Sequence, residues 1–174
     1  FEETPEQCHR LRIGGPVLTS LDVAMIASIH EGAFEPTTLS LLYPAEDGPE
    51  GLETAIEALL ATAREAVDEG FNILILSDRG VDEDKVAIPA LLAVSAVHQH
   101  LVSLGTRMQC GLVVETGDAR EVHDFAVLLG YGAAAVNPYV AFDTIEDMVR
   151  QGQLPSDVET AHANYVKAIG AGLK

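Results

Sequence analysis

Short runs of β-forming residues alternate with longer segments of helical periodicity through most of the chain. The runs are TTLSLLYP from Thr37, NILIL from Asn72, CGLVVET from Cys110 and AAAVNP from Ala133. Strands that are apolar throughout are typical of a parallel sheet covered on both faces. The sequence therefore predicts an α/β fold of alternating strand-helix units with a mostly parallel sheet. This sheet is either a partial βα-barrel or an open doubly wound sheet.

Start and stop signals predict where the helices lie. Thr19, followed three residues later by Asp22, predicts a short first helix. Long helices fit EGLETAIEALLATAREAVDEG and IPALLAVSAVHQHLVSLG. Asp118, three residues before Glu121, predicts the start of the next helix. Two more helices are expected near 142 to 151 and 156 to 170, and flexible segments at 1 to 10 and 44 to 50.

Length and charge limit the class of protein. The 174 residues suit one domain and fall short of the roughly 250 residues of a complete eightfold barrel. A net charge of -17 disfavours a nucleic-acid partner, and no apolar run reaches the roughly 18 residues of a membrane span. Cys8 and Cys110 lie far apart without a Cys-x-x-Cys spacing. This pattern argues against a disulfide framework or metal cluster and favours a reducing, cytoplasmic setting.

Polar side chains follow three of the predicted strands. Because the carboxyl ends of parallel strands meet at one edge, neighbouring strands would bring these side chains together in one rim. Ligands of parallel α/β folds gather at such an edge. The rim residues are Ser77, Asp78 and Arg79 after the second strand, Glu115 and Thr116 after the third, and Asn137, Pro138 and Tyr139 after the fourth.

The charged residues of this rim admit two interpretations. Asp78 could be a base beside Arg79, which would hold an anionic substrate. The favoured interpretation is an ion pair or helix cap that fixes the loop, because no nucleophile or metal set accompanies them. Glu115 is equally open to a role as general base or as partner of a helix dipole. Asn137 before Pro138 is more typical of a turn than of an oxyanion donor.

The histidines and glycines point to packing more than to metal or nucleotide binding. His98 and His100 stand two residues apart on a helix and face nearly opposite ways, so they do not readily share a metal ion. His98 aligns with core positions and is predicted to be hydrogen-bonded at the core edge. His123 could join Glu115 or Asp118 in a ligand set, but a surface or packing role is favoured. DRGVDEDK has one glycine, too few for a phosphate loop, and GYGAAA precedes a strand instead of following one.

Two long stretches carry a resemblance to a known family. ILILSDRGVDEDKVAIPALLAVSAVHQHL and VVETGDAREVHDFAVLLGYGAAAVNPYVAF closely resemble the central domain of the glutamate synthase large subunit. Residues 1 to 174 would then be a single domain, a C-terminal portion of that central domain. Residues 155 to 174 would be a linker helix toward the FMN-binding synthase domain. An opening FEETPEQCHR without Met or a signal sequence fits excision from a longer chain.

The resemblance implies part of a cytoplasmic, multidomain oxidoreductase of ammonia assimilation with glutamine amidotransferase activity. Such enzymes convert glutamine, 2-oxoglutarate and a reductant to two glutamates. Ammonia released in a glutaminase domain passes through an internal channel to a βα-barrel synthase domain, which holds FMN and an iron-sulfur cluster. The central domain would link these two flanking domains and help form the ammonia path. A small reductase subunit is a further candidate partner.

By this resemblance the chain itself would hold no catalytic, cofactor-binding or metal-binding residue. Small residues such as the alanines of GYGAAAVNP are the predicted lining of the path. The alternative, drawn from the residues alone, is an independent βα-barrel-like lyase or isomerase that acts on a small anionic substrate through Asp78, Glu115 and Arg79. The candidates for interdomain or rim contacts are Ser77, Asp78, Arg79, Glu115, His123, Asn137 and Tyr139.

Overall fold

Strands and helices alternate along the computed structural model, which describes residues 11 to 29 and 33 to 174. The helices are α1 (Ser20–Ala27), α2 (Gly48–Asp68), α3 (Ala90–Ser103), α4 (Val122–Gly130), α5 (Tyr139–Arg150) and α6 (Val158–Gly172). The strands are β1 (Pro36–Ser40), β2 (Leu42–Pro44), β3 (Ile73–Ser77), β4 (Lys85–Ala87), β5 (Gly111–Glu115) and β6 (Ala135–Asn137). None of the helices in this part of the chain is both long and apolar enough to cross a membrane.

The main sheet contains four parallel strands in the order β1, β3, β5 and β6. Beyond β6 the chain around Val17 runs parallel to it: the Leu18 N–H donates to Val136 O, and the Val136 N–H donates to Pro16 O. This segment adds a short fifth edge to the sheet. The described strands form an open, mostly parallel sheet with alternating strand-helix units, as predicted.

Helices cover both faces of the sheet because the chain crosses it in two directions. From β1 to β6 each crossover moves one way, and α2, α3 and α4 pack on one face around the larger core. The connection from Val17 to β1 moves the opposite way. A right-handed crossover in that direction must use the other face. Accordingly, α1 packs there against Ile73, Ile75, Val113 and Ala135.

The last helix closes the larger core. Phe142 and Tyr165 meet edge to face with ring centroids 5.7 Å apart, and Phe125 lies 6.5 Å from Tyr165 in the same manner. The hydroxyl of Tyr165 donates to Arg120 O at 2.9 Å. Ile169 is buried in the same core. The segment predicted as a linker helix therefore packs on α4 and α5.

The first predicted strand is two strands that belong to different sheets. β1 ends at Ser40, and β2 then pairs antiparallel with β4, which the sequence did not predict. β4 has the sequence KVA and holds no buried residue, so it lacks the apolar run that marks the other strands. The expected loop at 44 to 50 is also wrong, because a 3-10 helix spans Ala45–Asp47 and α2 begins at Gly48.

The N-cap predicted for α4 is wrong by three residues. Glu121 is the N-cap, and its backbone N–H donates to the Asp124 carboxylate at 2.8 Å. Asp118 instead accepts a hydrogen bond from the Ala90 N–H at 3.1 Å, at the first residue of α3. The spacing of two acids considers only neighbouring residues, and the Asp118 side chain instead accepts from the start of a different helix, α3. The segment 1 to 10 that was expected to be flexible lies outside the described residues.

Candidate functional site

The predicted rim exists, and it is where the described part of the chain buries its polar side chains. Ser77, Glu115 and Asn137 are register partners at the carboxyl ends of β3, β5 and β6. Asp78 and Thr116 follow directly. These five are the buried polar and charged residues among those the structure describes. Burial of polar groups costs free energy unless they are hydrogen-bonded, so their partners determine what the rim can do.

Glu115 is held by two side chains from the neighbouring strand. Its Oε2 accepts from the Ser77 hydroxyl at 2.6 Å, and its Oε1 accepts from Arg79 Nε at 2.5 Å. The side chains of Arg79 and Glu115 are 42% and 11% exposed. Arg79 also donates through Nη2 to the Ser20 hydroxyl, 3.1 Å away at the start of α1. The carboxylate is therefore a paired anion, and its partner is the Arg79 that the sequence analysis had placed with Asp78.

Asp78 is saturated by a second set of donors. It accepts from the Thr116 hydroxyl at 2.6 Å and from the Gly117 N–H at 3.0 Å. The aromatic ring of Tyr139, the first residue of α5, lies beneath the guanidinium of Arg79, 4.1 Å from ring centroid to Cζ. Burial, followed by a hydrogen bond to Asp78, raises the pKa of Tyr139 to about 12. Asp78 thus fixes the loop after β5 and the start of α5.

Asn137 joins the rim to the segment that precedes α1. Its Nδ2 donates to Leu18 O at 2.8 Å, while its buried Oδ1 has no hydrogen-bond partner. Asn137 thus acts as a tether between β6 and the fifth edge of the sheet. Pro138 follows as the residue before α5, as expected for a strand that ends in a turn.

His123 takes no part in the hydrogen bonds that hold the rim. It is an exposed residue in the first turn of α4. Among residues 11 to 29 and 33 to 174, no group of three or more His, Cys, Asp or Glu side chains is placed to hold a metal ion. A ligand set of His123 with Glu115 or Asp118 is therefore not formed in this structure.

A clamp around Arg107 lies at the opposite, amino-terminal edge of the sheet and was missed in the sequence. Arg107 donates through Nε to His98 Nδ1 at 2.9 Å, through Nη1 to Cys110 O at 2.7 Å and through Nη2 to Gly132 O at 2.8 Å. His98 is half-buried, which confirms the prediction of a hydrogen-bonded histidine at the core edge. The clamp joins α3 to the loops before β5 and β6.

A groove of about 660 Å³ runs beside this clamp, on the sheet face that α1 covers. We call it the amino-end groove. The described residues that line it are all uncharged and include Ala134 and Ala135, two of the alanines predicted to line a passage. Burial raises the pKa of the Cys110 thiol, which borders the groove. The remaining lining is Leu11, Ile13, Leu18, Ile26, Ala33, Phe34, Asn72, Ile73, Met108, Gln109, Gly111 and Val113.

Comparison with known proteins identifies relatives along the whole chain. Residues 1–174 match the family described as "Glutamate synthase central domain". The chain is 36% identical to a ferredoxin-dependent glutamate synthase of Pyropia yezoensis, over 99% of this chain and 12% of that protein. It is 37% identical to the glutamate synthase [NADPH] large chain of Bacillus subtilis strain 168, over 95% of this chain and 10% of that protein. It is 36% identical to the glutamate synthase [NADH] of Schizosaccharomyces pombe, over 99% of this chain and 8% of that protein. The chain thus spans about a tenth of the length of these relatives.

Proposed function

The chain belongs to the glutamate synthase central domain family, and we propose that it is a connecting domain without catalytic residues. In this proposal it links a glutaminase domain to an FMN-binding synthase domain of the same polypeptide and forms part of the ammonia path between them. The longer protein would make two glutamates from glutamine, 2-oxoglutarate and a reductant.

The observation that carries the proposal is the state of the rim. A general base needs a lone pair that can reach a substrate, and a substrate-binding cation needs free donors. Glu115 is instead bonded to Ser77 and Arg79, and Asp78 to Thr116 and Gly117. A rim whose charges satisfy one another stabilises the domain, and both carboxylates are already engaged by donors of the chain itself.

The amino-end groove supports the second part of the proposal. Ammonia in transit must stay neutral and away from water, which calls for a rigid passage without ionisable groups. In a chain with a net charge of -17, a groove lined without any charged residue provides such a wall. Ala134 and Ala135 leave space for a small molecule, and β3 and β5 form a rigid floor.

The cysteines of the described residues do not fit an iron-sulfur cluster, which needs a set of cysteine thiolates. Cys110 is the one cysteine among the described residues, and it is buried. We therefore propose that the cluster, together with FMN, belongs to a flanking domain.

The alternative of an independent lyase or isomerase is not favoured by the geometry. It requires a pocket at which Asp78, Glu115 and Arg79 converge. Four cavities on the described residues are each lined by other residues than these three. Arg79 and Glu115 are also bonded to each other.

The test uses the full-length enzyme and measures glutamine hydrolysis and glutamate synthesis together. Ala135→Leu narrows the groove and should lower the glutamate formed per glutamine hydrolysed, with ammonia released to solution. Ala119→Leu is the matched control, because Ala119 is also fully buried but lies in the other core. Substitution of Asp78, Arg79 or Glu115 should disturb the same ratio by loosening the rim. An unchanged ratio in Ala135→Leu would remove the groove from the ammonia path.

A further inference from the structure

Helix α1 is apolar on the side that faces away from the sheet as well as on the side that faces it. Val23 and Ile26 are buried in the smaller core. Leu21 and Met25, one turn apart on the outer side, are 69% and 51% exposed. A helix that is apolar all round is normally buried on all sides. The outer side of α1 therefore lacks the cover that its composition predicts.

The surface beside this helix has the same character. Met108, at the edge of the amino-end groove, is 95% exposed. Met108 and Leu21 are the two most exposed large apolar side chains of the described residues. Met108 and Ile26 of α1 both line the groove, so the exposed apolar side chains of α1 and of this edge are connected by it. Apolar patches of this kind mark interaction sites.

The two faces of the sheet are unequally covered. One face carries α2, α3 and α4, and the larger core there also includes residues of α5 and α6. Among residues 11 to 29 and 33 to 174, the opposite face carries one helix of eight residues and a core of seven buried side chains. A parallel sheet normally has both faces covered by further layers. In this part of the chain, the less covered side is therefore the one with α1 and the groove.

We propose that the α1 face, defined as Leu21, Met25 and Met108 with the amino-end groove, docks onto an apolar surface of a neighbouring domain in the same polypeptide. This inference rests on the proposed connecting function. The chain makes up only 8% to 12% of its relatives, so covalently tethered domains are present at high effective concentration. A second copy of the chain is a poorer occupant, because each copy carries a charge of -17 and the copies repel. Docking would also turn the open groove into an enclosed passage.

The test measures how fast an introduced thiol reacts with a maleimide, read by mass spectrometry of the peptide that carries it so that native cysteines such as Cys8 and Cys110 do not contribute. Met25→Cys probes the α1 face, and Val102→Cys on α3 is the matched control because Val102 is 49% exposed. In the 174-residue chain, shown to be folded by circular dichroism, both positions should react at similar rates. In the full-length polypeptide, position 25 should react at least about tenfold more slowly while position 102 keeps its rate, because burial limits reaction to local opening.

Other outcomes would overturn the proposal in distinct ways. Equal rates at position 25 in the two proteins would show that no neighbouring domain covers the α1 face. Equal slowing at positions 25 and 102 would show that the longer polypeptide protects the α1 face no more than it protects α3. Protection in the 174-residue chain that grows with protein concentration would identify a second copy as the occupant. Protection there at every concentration would place the cover within the chain itself.

The labelling result separates this inference from the proposed function. If position 25 reacts equally fast in both proteins and Ala135→Leu still uncouples the two reactions, the docking surface is wrong and the ammonia path stands. If position 25 is protected and Ala135→Leu leaves the ratio unchanged, the docking surface stands and the path does not.

Discussion

The Nε of Arg79 lies 2.5 Å from Oε1 of Glu115, and the same guanidinium connects two helices that lie over opposite faces of the sheet. It donates to Ser20 at the start of α1 and covers the ring of Tyr139 at the start of α5. In doubly wound sheets the crevice between such diverging connections is the usual ligand site. Here the protein's own arginine fills it, which is consistent with a structural rim.

The pairing of Arg79 with Glu115 should appear as an energetic coupling in a double-mutant cycle. Arg79→Met leaves a largely buried carboxylate without its counter-charge, whereas Glu115→Gln removes the charge and keeps an acceptor. The double variant should therefore be more stable than the sum of the single losses predicts, by about 1 to 2 kcal/mol. Urea unfolding of the four proteins measures this quantity.

The exposed pair of Arg64 and Asp68 on α2 provides the control for that cycle. Surface pairs one turn apart on a helix contribute about 0.3 to 0.5 kcal/mol, because solvent screens them. A cycle of Arg64→Met and Asp68→Asn should give a coupling in this range. If the coupling at the rim is no larger, the rim pair does not hold the domain together.

A second prediction concerns two glycines with left-handed backbone. Gly105 has a φ of 73° and nothing within 4 Å of an added Cβ, whereas Gly132 has a φ of 116° and a Cβ there would lie 2.2 Å from His98 Nδ1. Gly105→Ala should cost about 1 kcal/mol from backbone strain alone. Gly132→Ala should cost about 1 to 3 kcal/mol more, because His98 must leave the clamp. Equal losses in thermal or urea unfolding would contradict the packing of His98 against this loop.

The Arg107 clamp should depend on the shape of the guanidinium and not only on its charge. Arg107→Lys keeps the charge, but its three N–H donors sit on one nitrogen and cannot span three acceptors that are met by three different nitrogens of the guanidinium. At least one of the carbonyls of Cys110 and Gly132 therefore loses its donor. The expected loss is about 2 to 4 kcal/mol of unfolding free energy. Arg64→Lys, at an exposed position, should stay within about 0.5 kcal/mol. A loss as small as that of the control would show that the three hydrogen bonds contribute little.

The parts of the fold that could be predicted from the sequence depend on local chemistry. The capping box of Thr19 and Asp22 and the apolar runs of β3 and β5 act within a few residues of their own position, so pattern alone identifies them. The rim could be predicted from one rule, which is that parallel strands end at the same edge. This prediction needed no information about how the helices pack.

The parts that were missed depend on contacts between distant segments. The clamp joins Arg107 to Gly132, 25 residues away, and nothing near Arg107 in the sequence marks it. β4 exists only because β2 pairs with it. Asp118 follows a local capping pattern, but its side chain bonds to Ala90, 28 residues away. Which face α1 covers likewise depends on the direction of the crossover, which the sequence alone does not give.

The last prediction concerns stability at alkaline pH. Burial raises the pKa of both Tyr139 and Tyr165 to about 12, and the hydrogen bond to Asp78 adds to the effect at Tyr139. Unfolded tyrosine titrates near pH 10, so the folded protein binds these two protons more tightly. Their stabilisation is complete below about pH 10 and is lost as the pH rises toward 12. In Tyr139→Phe, the free energy of unfolding measured with urea should fall less between pH 10 and pH 12. Asp78→Asn should remove only part of the rise in the pKa of Tyr139, because burial is the larger cause. An absorbance titration of tyrosinate measures this pKa. If Asp78→Asn leaves the pKa unchanged, the two side chains are not in contact.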